Sequence, residues 1–163
     1  MATRNLCDEL WAQYLSTPTD EVLDQLIANG CQRAEEYGGT VPKVGVAPSD
    51  GERLAAAVAV VPLLQQHFAA EIAEKDPAGR KVDSARTDML MSELCSADRC
   101  SSSTAAQTIE GKKLDAARPF ALQFMDLITS VRAKGTPNSL AADTAAVNLL
   151  AAKMCTELGC KVS

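Results

Sequence analysis

The stretch from Asp50 to Lys75 constrains the fold more than any other part of the chain. Ser49 lies directly before this stretch and Glu52 lies within it. The two residues have the spacing of a capping box, in which each side chain accepts a hydrogen bond from the other residue's backbone N–H. Few charges interrupt the run before Glu71. The pattern predicts one long central helix, largely covered by other helices. Its periodic apolar residues are Leu54, Val58, Val61, Phe68 and Ile72.

Pro62 lies well inside this predicted helix. A proline there removes one backbone hydrogen bond and bends a helix. Because the apolar periodicity continues in register through Phe68 and Ile72, we expect the helix to bend at Pro62 and not to end there.

Composition sets the fold class. The chain has 163 residues, which is enough for one domain with a genuine core, so we expect a single helical domain spanning residues 1–163. Apolar residues make up 47% and aromatic residues only 4%, and much of the apolar share is alanine, the best helix former. Runs of strand-favouring residues are nearly absent. We predict an all-α bundle of five to seven helices around the central alanine-rich helix.

Prolines, glycines and capping residues divide the rest of the chain into further helices. We expect a second helix to start at Thr17-Pro18 and stop at Gly38-Gly39, and a long loop to follow up to Ser49. The first helix is predicted from Asn5 to Leu15. After the central helix, we expect one helix that is capped by Asp83 or Ser84 and runs to about Cys100, and another from Ala105 to about Ala133. The last helix is predicted to start at Thr136-Pro137 and to end at Gly159. The predicted core residues are Val61, Phe68, Phe124, Leu127 and Leu150.

The net charge of −5 argues against a dedicated nucleic-acid binder, whose affinity comes from neutralising phosphates with Lys and Arg. It does not exclude a polymeric coat that contacts each phosphate sparingly. The N-terminal sequence MATRNLCDELW has neither a signal-peptide core nor a basic presequence. We therefore expect a protein that is not secreted, located in the cytoplasm or in a virion, with no membrane partner.

The six cysteines include two C-x4-C pairs, Cys95/Cys100 and Cys155/Cys160. On an intact helix the two cysteines of such a pair lie roughly 140° apart around the axis and roughly 8 Å apart, beyond disulfide reach. A bond within a pair therefore requires that the helix has ended, as Gly159 allows for the second pair. We expect reduced, buried thiols, with Cys160 exposed and most reactive; disulfides are the next alternative and a four-cysteine zinc site the last.

No pattern typical of an enzyme, cofactor site or metal site occurs in the sequence. His67, the single histidine, lies in a helical run without a nucleophile near it in sequence, so we expect a partly buried structural histidine. Basic residues form loose clusters at 80–86, 112–118 and 132–134. These are either ordinary surface charge, which we favour, or a shallow groove for a polyanion if they converge in three dimensions.

Several short segments occur in the order found in one known family. They are the helix with Trp11 leading to PTDEVLDQL and Cys31, RLAAAV from Arg53, QQHF at Gln65 to Phe68, AARPFALQF at Ala116 to Phe124, and ITSVRA at Ile128 to Ala133. Together they resemble the helical core of coat proteins from flexuous filamentous plant RNA viruses. The resemblance implies a non-enzymatic subunit that self-assembles as a homo-oligomer or filament on single-stranded RNA. It implies phosphate contacts from Arg118, Ser130 and Arg132.

Two other functions are compatible with the sequence. The first is a small helical accessory or adaptor subunit of a larger protein complex, which suits the acidic charge. The second is a thiol-based enzyme or metal module that uses the C-x4-C pairs.

Overall fold

The computed structural model describes residues 4–34, 39, 48–102, 104–134 and 140–162. Within these ranges it consists of six helices and contains no strand, which confirms the predicted all-α bundle. The helices are α1 (Arg4–Ser16), α2 (Asp20–Ala28), α3 (Asp50–Ala73), α4 (Pro77–Asp98), α5 (Ile109–Lys134) and α6 (Leu140–Leu158).

α3 is the central helix of the bundle, and it packs against α1, α4, α5 and α6. The predicted capping box is present: Glu52 donates its backbone N–H to Ser49 Oγ, and Ser49 donates its own to Glu52 Oε1, both over 3.1 Å. The helix runs through Pro62 without interruption, as the continuing apolar periodicity predicts. By length and composition alone α3 could cross a membrane, but its packing against four other helices also accounts for its apolar character.

The core takes buried residues from all six helices, and two of its aromatic rings meet where α3 contacts α5. The rings of Phe68 and Phe124 lie 5.7 Å apart between centroids in a tilted arrangement. Val61, Phe68, Phe124 and Leu150 are buried, as predicted. Leu127 is only half-buried, so its assignment to the core is wrong; the buried face of α5 continues from Phe124 to Ile128, one turn further on, and Leu127 lies beside it.

α2 starts later and ends earlier than predicted. It begins at Asp20 because Thr19, and not Thr17, is its N-cap; Thr19 Oγ1 accepts a hydrogen bond from the Val22 N–H over 3.3 Å. It ends at Ala28, well before the glycine pair at 38–39, and Gly30 then adopts a left-handed conformation with φ of +65°.

α4 also starts earlier than predicted. Asp76 caps it by accepting from the Gly79 N–H over 3.4 Å, and Pro77 occupies the first turn, where its missing N–H costs nothing. Asp83 and Ser84 are therefore inside the helix. The predicted loop from Gly39 to Ser49 and the predicted start at Thr136-Pro137 lie largely or wholly outside the described residues.

All six cysteines form disulfides, which contradicts the expected reduced thiols and the free, reactive Cys160. The Cα–Cα distances are 5.3 Å for Cys7–Cys31, 4.9 Å for Cys95–Cys100 and 4.5 Å for Cys155–Cys160, all within the range for a disulfide. The two C-x4-C pairs close because each spans a helix end. The helix end that such a bond requires is present in both pairs, after Asp98 and after Leu158, and not only beside Gly159 as expected.

One residue of each disulfide directly follows a left-handed residue that terminates a helix. Gly30, Arg99 and Gly159 are the described residues with positive φ, at +65°, +51° and +91°, and each immediately precedes a cysteine. The backbone N–H of that cysteine returns to a carbonyl five residues earlier, in Leu26 for Cys31 and in the partner cysteine for the two C-x4-C pairs. This is the hydrogen bond of a Schellman-type cap. The disulfides therefore fix the C-terminal ends of α2, α4 and α6.

Candidate functional site

The ends of four helices surround a pocket of about 340 Å³. Its wall combines an apolar side with a charged side, a composition typical of small-molecule sites. We call it the basic pocket. Its lining residues are Glu71 and Ile72 of α3, Pro77, Arg80, Lys81 and Ser84 of α4, Val131 and Arg132 of α5, and Leu140 and Asp143 of α6.

Arg80 and Lys81 bring positive charge to this pocket. Arg80 donates from Nε and Nη2 to the Glu74 backbone carbonyl over 3.1 and 2.8 Å. These hydrogen bonds satisfy a carbonyl at the end of α3, but they do not neutralise the charge of Arg80. In the described part of the chain, neither Arg80 nor Lys81 forms an ion pair with a carboxylate. Lys81 is exposed and Arg80 is half-buried, so both charges can be reached from solvent.

Arg132 lines the same pocket, but its charge is already compensated. It forms a two-point hydrogen bond with Glu71, at 2.9 and 3.0 Å, and a third to Asp88 Oδ1 over 2.7 Å. Partial burial alone would lower the pKa of Arg132, but the hydrogen bonds to the two carboxylates outweigh it and raise that pKa. Asp143 is likewise paired, with Lys134 Nζ at 3.2 Å.

Arg118 lies elsewhere on α5 and has its own partners. Its Nε donates to the Asp98 backbone carbonyl over 2.9 Å, and its Nη2 donates to Asp115 Oδ1 over 2.6 Å. The Asp98 side chain is fully buried, and its nearer oxygen is 4.0 Å from Arg118 Nε. Burial raises the pKa of Asp98 to about 8, against the lowering effect of Arg118.

The structure does not bring the three predicted phosphate contacts together. Arg118 and Arg132 are fourteen positions apart in the sequence, about 21 Å along the axis of α5. Ser130 is exposed and, two positions before Arg132, lies on a different face of the helix. Their role in RNA binding stays a prediction. The residues that do converge are Arg80, Lys81 and Arg132 from two of the loose basic clusters. Their convergence requires α4 and α5 to pack side by side in opposite directions, so that the start of α4 meets the end of α5.

A second, larger cavity of about 580 Å³ lies between α1, α3 and α4. Arg33 is buried at the edge of this cavity. Its Nη2 lies 2.5 Å from Asp8 Oδ1, and its Nε donates to Glu93 Oε2 over 3.2 Å. The Arg33 backbone N–H also donates to Ser92 Oγ over 3.2 Å. These contacts tie the segment after α2 to α1 and α4, so the charged groups of this cavity have a clear structural role.

No family model, curated protein or solved structure matches the chain.

Proposed function

We propose that the chain is a non-enzymatic binding subunit that engages an anionic group of its partner at the basic pocket. One observation carries the proposal. Arg80 and Lys81, which have no carboxylate partner among the described residues, lie beside an apolar wall in the same pocket. The volume of this pocket is in the range of small-molecule sites. This role is close to the accessory or adaptor subunit that the acidic composition favours.

The state of the reactive side chains supports a role without catalysis. A disulfide-bonded cysteine offers no thiolate nucleophile, and all six cysteines are bonded in this way. His67 is half-buried and lies 3.7 Å from Asp20, near Arg86. Burial lowers the pKa of His67 more than the neighbouring carboxylates raise it, so a neutral structural histidine fits this place.

The disulfides support a location in an oxidising compartment, in place of the cytoplasm expected above. Disulfides persist in secreted, periplasmic and lumenal proteins and are rare where glutathione and thioredoxin keep thiols reduced. Three bonds that use every cysteine of the chain favour such a compartment. Expression of the chain with and without an export signal, followed by thiol counting, tests this location.

The test of the binding role is an amide NMR titration of the oxidised protein with three anionic probes of different class: a glutamate-rich peptide, an oligouridylate and decanoate. We expect at least one probe to shift the amide signals of Arg80, Lys81 and Leu140. If none of the three shifts them at millimolar concentration, the proposed function is wrong.

The filament coat protein on single-stranded RNA is a second candidate, favoured by the resemblance and by the presence of Arg132 at the basic pocket. The carboxylates that already pair with Arg118 and Arg132 weigh against it. Negative-stain microscopy and the absorbance ratio of purified protein decide the matter: filaments containing nucleic acid would establish the coat role, and small uniform particles free of nucleic acid would remove it.

A further inference from the structure

We infer that the ligand of the basic pocket is an anionic amphiphile, with one carboxylate headgroup on an unbranched alkyl chain. The inference rests on the proposed function and narrows it from any anionic partner to one class of ligand. It depends on two features of the pocket that lie side by side: the charge balance of its polar wall and the exposure of its apolar wall.

The charge balance of the pocket selects an anion with a small headgroup. Arg132 faces two carboxylates, Glu71 and Asp88, so these three side chains together carry one net negative charge. Asp143 is matched by Lys134 at 3.2 Å. Arg80 and Lys81, which both line the pocket, leave four cations against three carboxylates and therefore one net positive charge. A single carboxylate balances this charge and can accept charge-assisted hydrogen bonds from a guanidinium or an ammonium group.

The apolar wall selects an alkyl chain. Ile72, Pro77, Val131 and Leu140 come from four different helices and face the same space as the two cations. Leu140 is 37% exposed although it lies at the pocket, so apolar surface is available for a ligand to cover. A free inorganic anion or an acetate ion would leave this wall uncovered.

A polymeric anion fits this surface less well. Single-stranded nucleic acid binding uses a groove of cations that follows the backbone, usually with aromatic side chains on which bases stack. Here the two available cations line a single pocket, and that lining includes no aromatic residue among those described. The net charge of −5 also repels a polyanion at distances beyond the pocket.

The experiment is calorimetry of the oxidised chain with three probes, each below its micelle-forming concentration. Decanoate carries both the headgroup and the chain, acetate carries only the headgroup, and decyltrimethylammonium carries the chain with the opposite charge. We expect decanoate to bind at least about tenfold more tightly than either of the other two. Equal affinity for acetate or for decyltrimethylammonium would overturn the inference.

Two variants test whether binding takes place in the basic pocket. Arg80→Gln with Lys81→Gln removes both available cations; its matched control, Lys112→Gln with Lys113→Gln, removes the same charge from an exposed part of α5. We expect the first double variant to weaken decanoate binding about tenfold or more and the control to change it less than about twofold. Equal weakening by both would show that decanoate responds to overall charge and not to this pocket.

Leu140→Asn tests the apolar wall without changing the charge of the pocket. Leu140 is the first residue of α6, where a short polar side chain is well tolerated. Its control, Leu149→Asn, changes an exposed leucine of the same helix that does not line the pocket. We expect loss of decanoate binding only in Leu140→Asn. Unchanged binding by that variant, with an unchanged denaturant midpoint, would overturn the inference.

The proposed function and this inference fail in different ways. If decanoate does not bind but the oligouridylate or the acidic peptide shifts the pocket amides, the inference is wrong and the proposed function stands. If no probe binds, both are wrong.

Discussion

The replacement Asp98→Asn should remove a pH dependence from the stability of this protein. The Asp98 carboxyl group is fully buried, and neither of its oxygens has a hydrogen-bond partner among the described residues. Burial raises its pKa to about 8, from a reference value of 3.8. The unfolded chain therefore releases this proton at much lower pH than the folded chain does.

The sign of the effect follows from proton linkage. Between the unfolded and the folded pKa, the folded state holds the Asp98 proton and the unfolded state does not. The free energy of unfolding therefore decreases as the pH rises through this window, by up to about 1.4 kcal/mol for each pH unit. Summed from pH 3.8 to about 8, the decrease has a ceiling of about 6 kcal/mol, which local opening to water would reduce.

Urea unfolding of the oxidised protein at several pH values between about 5 and 8 measures this contribution. Asp98→Asn has no proton to release, so we expect the variant to lose less stability over this range than the parent chain. At the acidic end the variant should be slightly less stable, since the buried amide brings two donors that need acceptors. The control Asp126→Asn changes an exposed carboxylate on α5 and should follow the parent profile. Parallel profiles for the parent and Asp98→Asn would refute the reasoning.

Three further predictions concern stability. Phe124→Ala should lower the free energy of unfolding by about 3–5 kcal/mol through lost burial and a residual cavity. Leu127→Ala should lower it by clearly less, because Leu127 is half-buried. Equal shifts in the denaturant midpoint for the two variants would contradict the register of α5. Replacing Cys95 and Cys100 together by serine should cost about 2 kcal/mol by the entropy of a short closed loop, and an unchanged midpoint would contradict the disulfide. Arg132→Met should cost about 3 kcal/mol because it leaves a buried carboxylate unpaired, and a thermal melt that shows no loss would contradict the ion-pair network.

Local sequence signals predicted the helices well where the signal was a specific cap. Ser49 and Glu52 fixed the start of α3, and Gly159 fixed the end of α6, as expected. The segment after α3 shows how such signals fail. The sequence predicts a cap at Asp83 or Ser84, whereas Asp76 and Pro77 start α4, because a proline that cannot continue a helix is well suited to a first turn.

The disulfides could not be predicted because they depend on backbone conformation at single residues. The glycine before Cys160 signals a helix end in the sequence. The residue before Cys100 is Arg99, and a residue with a long side chain rarely adopts the left-handed backbone conformation, so nothing in the sequence signals the helix end there. The partnership of Cys7 with Cys31 requires α1 and α2 to pack side by side, where Trp11 Nε1 donates to the Cys31 carbonyl over 3.1 Å. That contact is a result of tertiary packing and leaves no local pattern.

The basic pocket is a similar case. Arg80, Lys81 and Arg132 were visible as basic residues, but the sequence does not show that the end of α5 meets the start of α4. It also does not show which cations are neutralised. Arg118 and Arg132 were the natural candidates for phosphate contact, and both have carboxylate partners supplied by folding.

Three disulfides, two of them within C-x4-C pairs and one between α1 and the segment after α2, fix the ends of α2, α4 and α6. Peptide mapping of the unfolded, unreduced protein by mass spectrometry tests this pairing directly. Trypsin cleaves after Arg99 and a glutamate-specific protease cleaves after Glu157, so each protease separates the two cysteines of one C-x4-C pair unless a disulfide holds the peptides together. We expect linked peptides for Cys95–Cys100 and Cys155–Cys160, and a link between Cys7 and Cys31 after cleavage at the glutamates between them. Six thiols alkylated before reduction, or any other pairing, would contradict it.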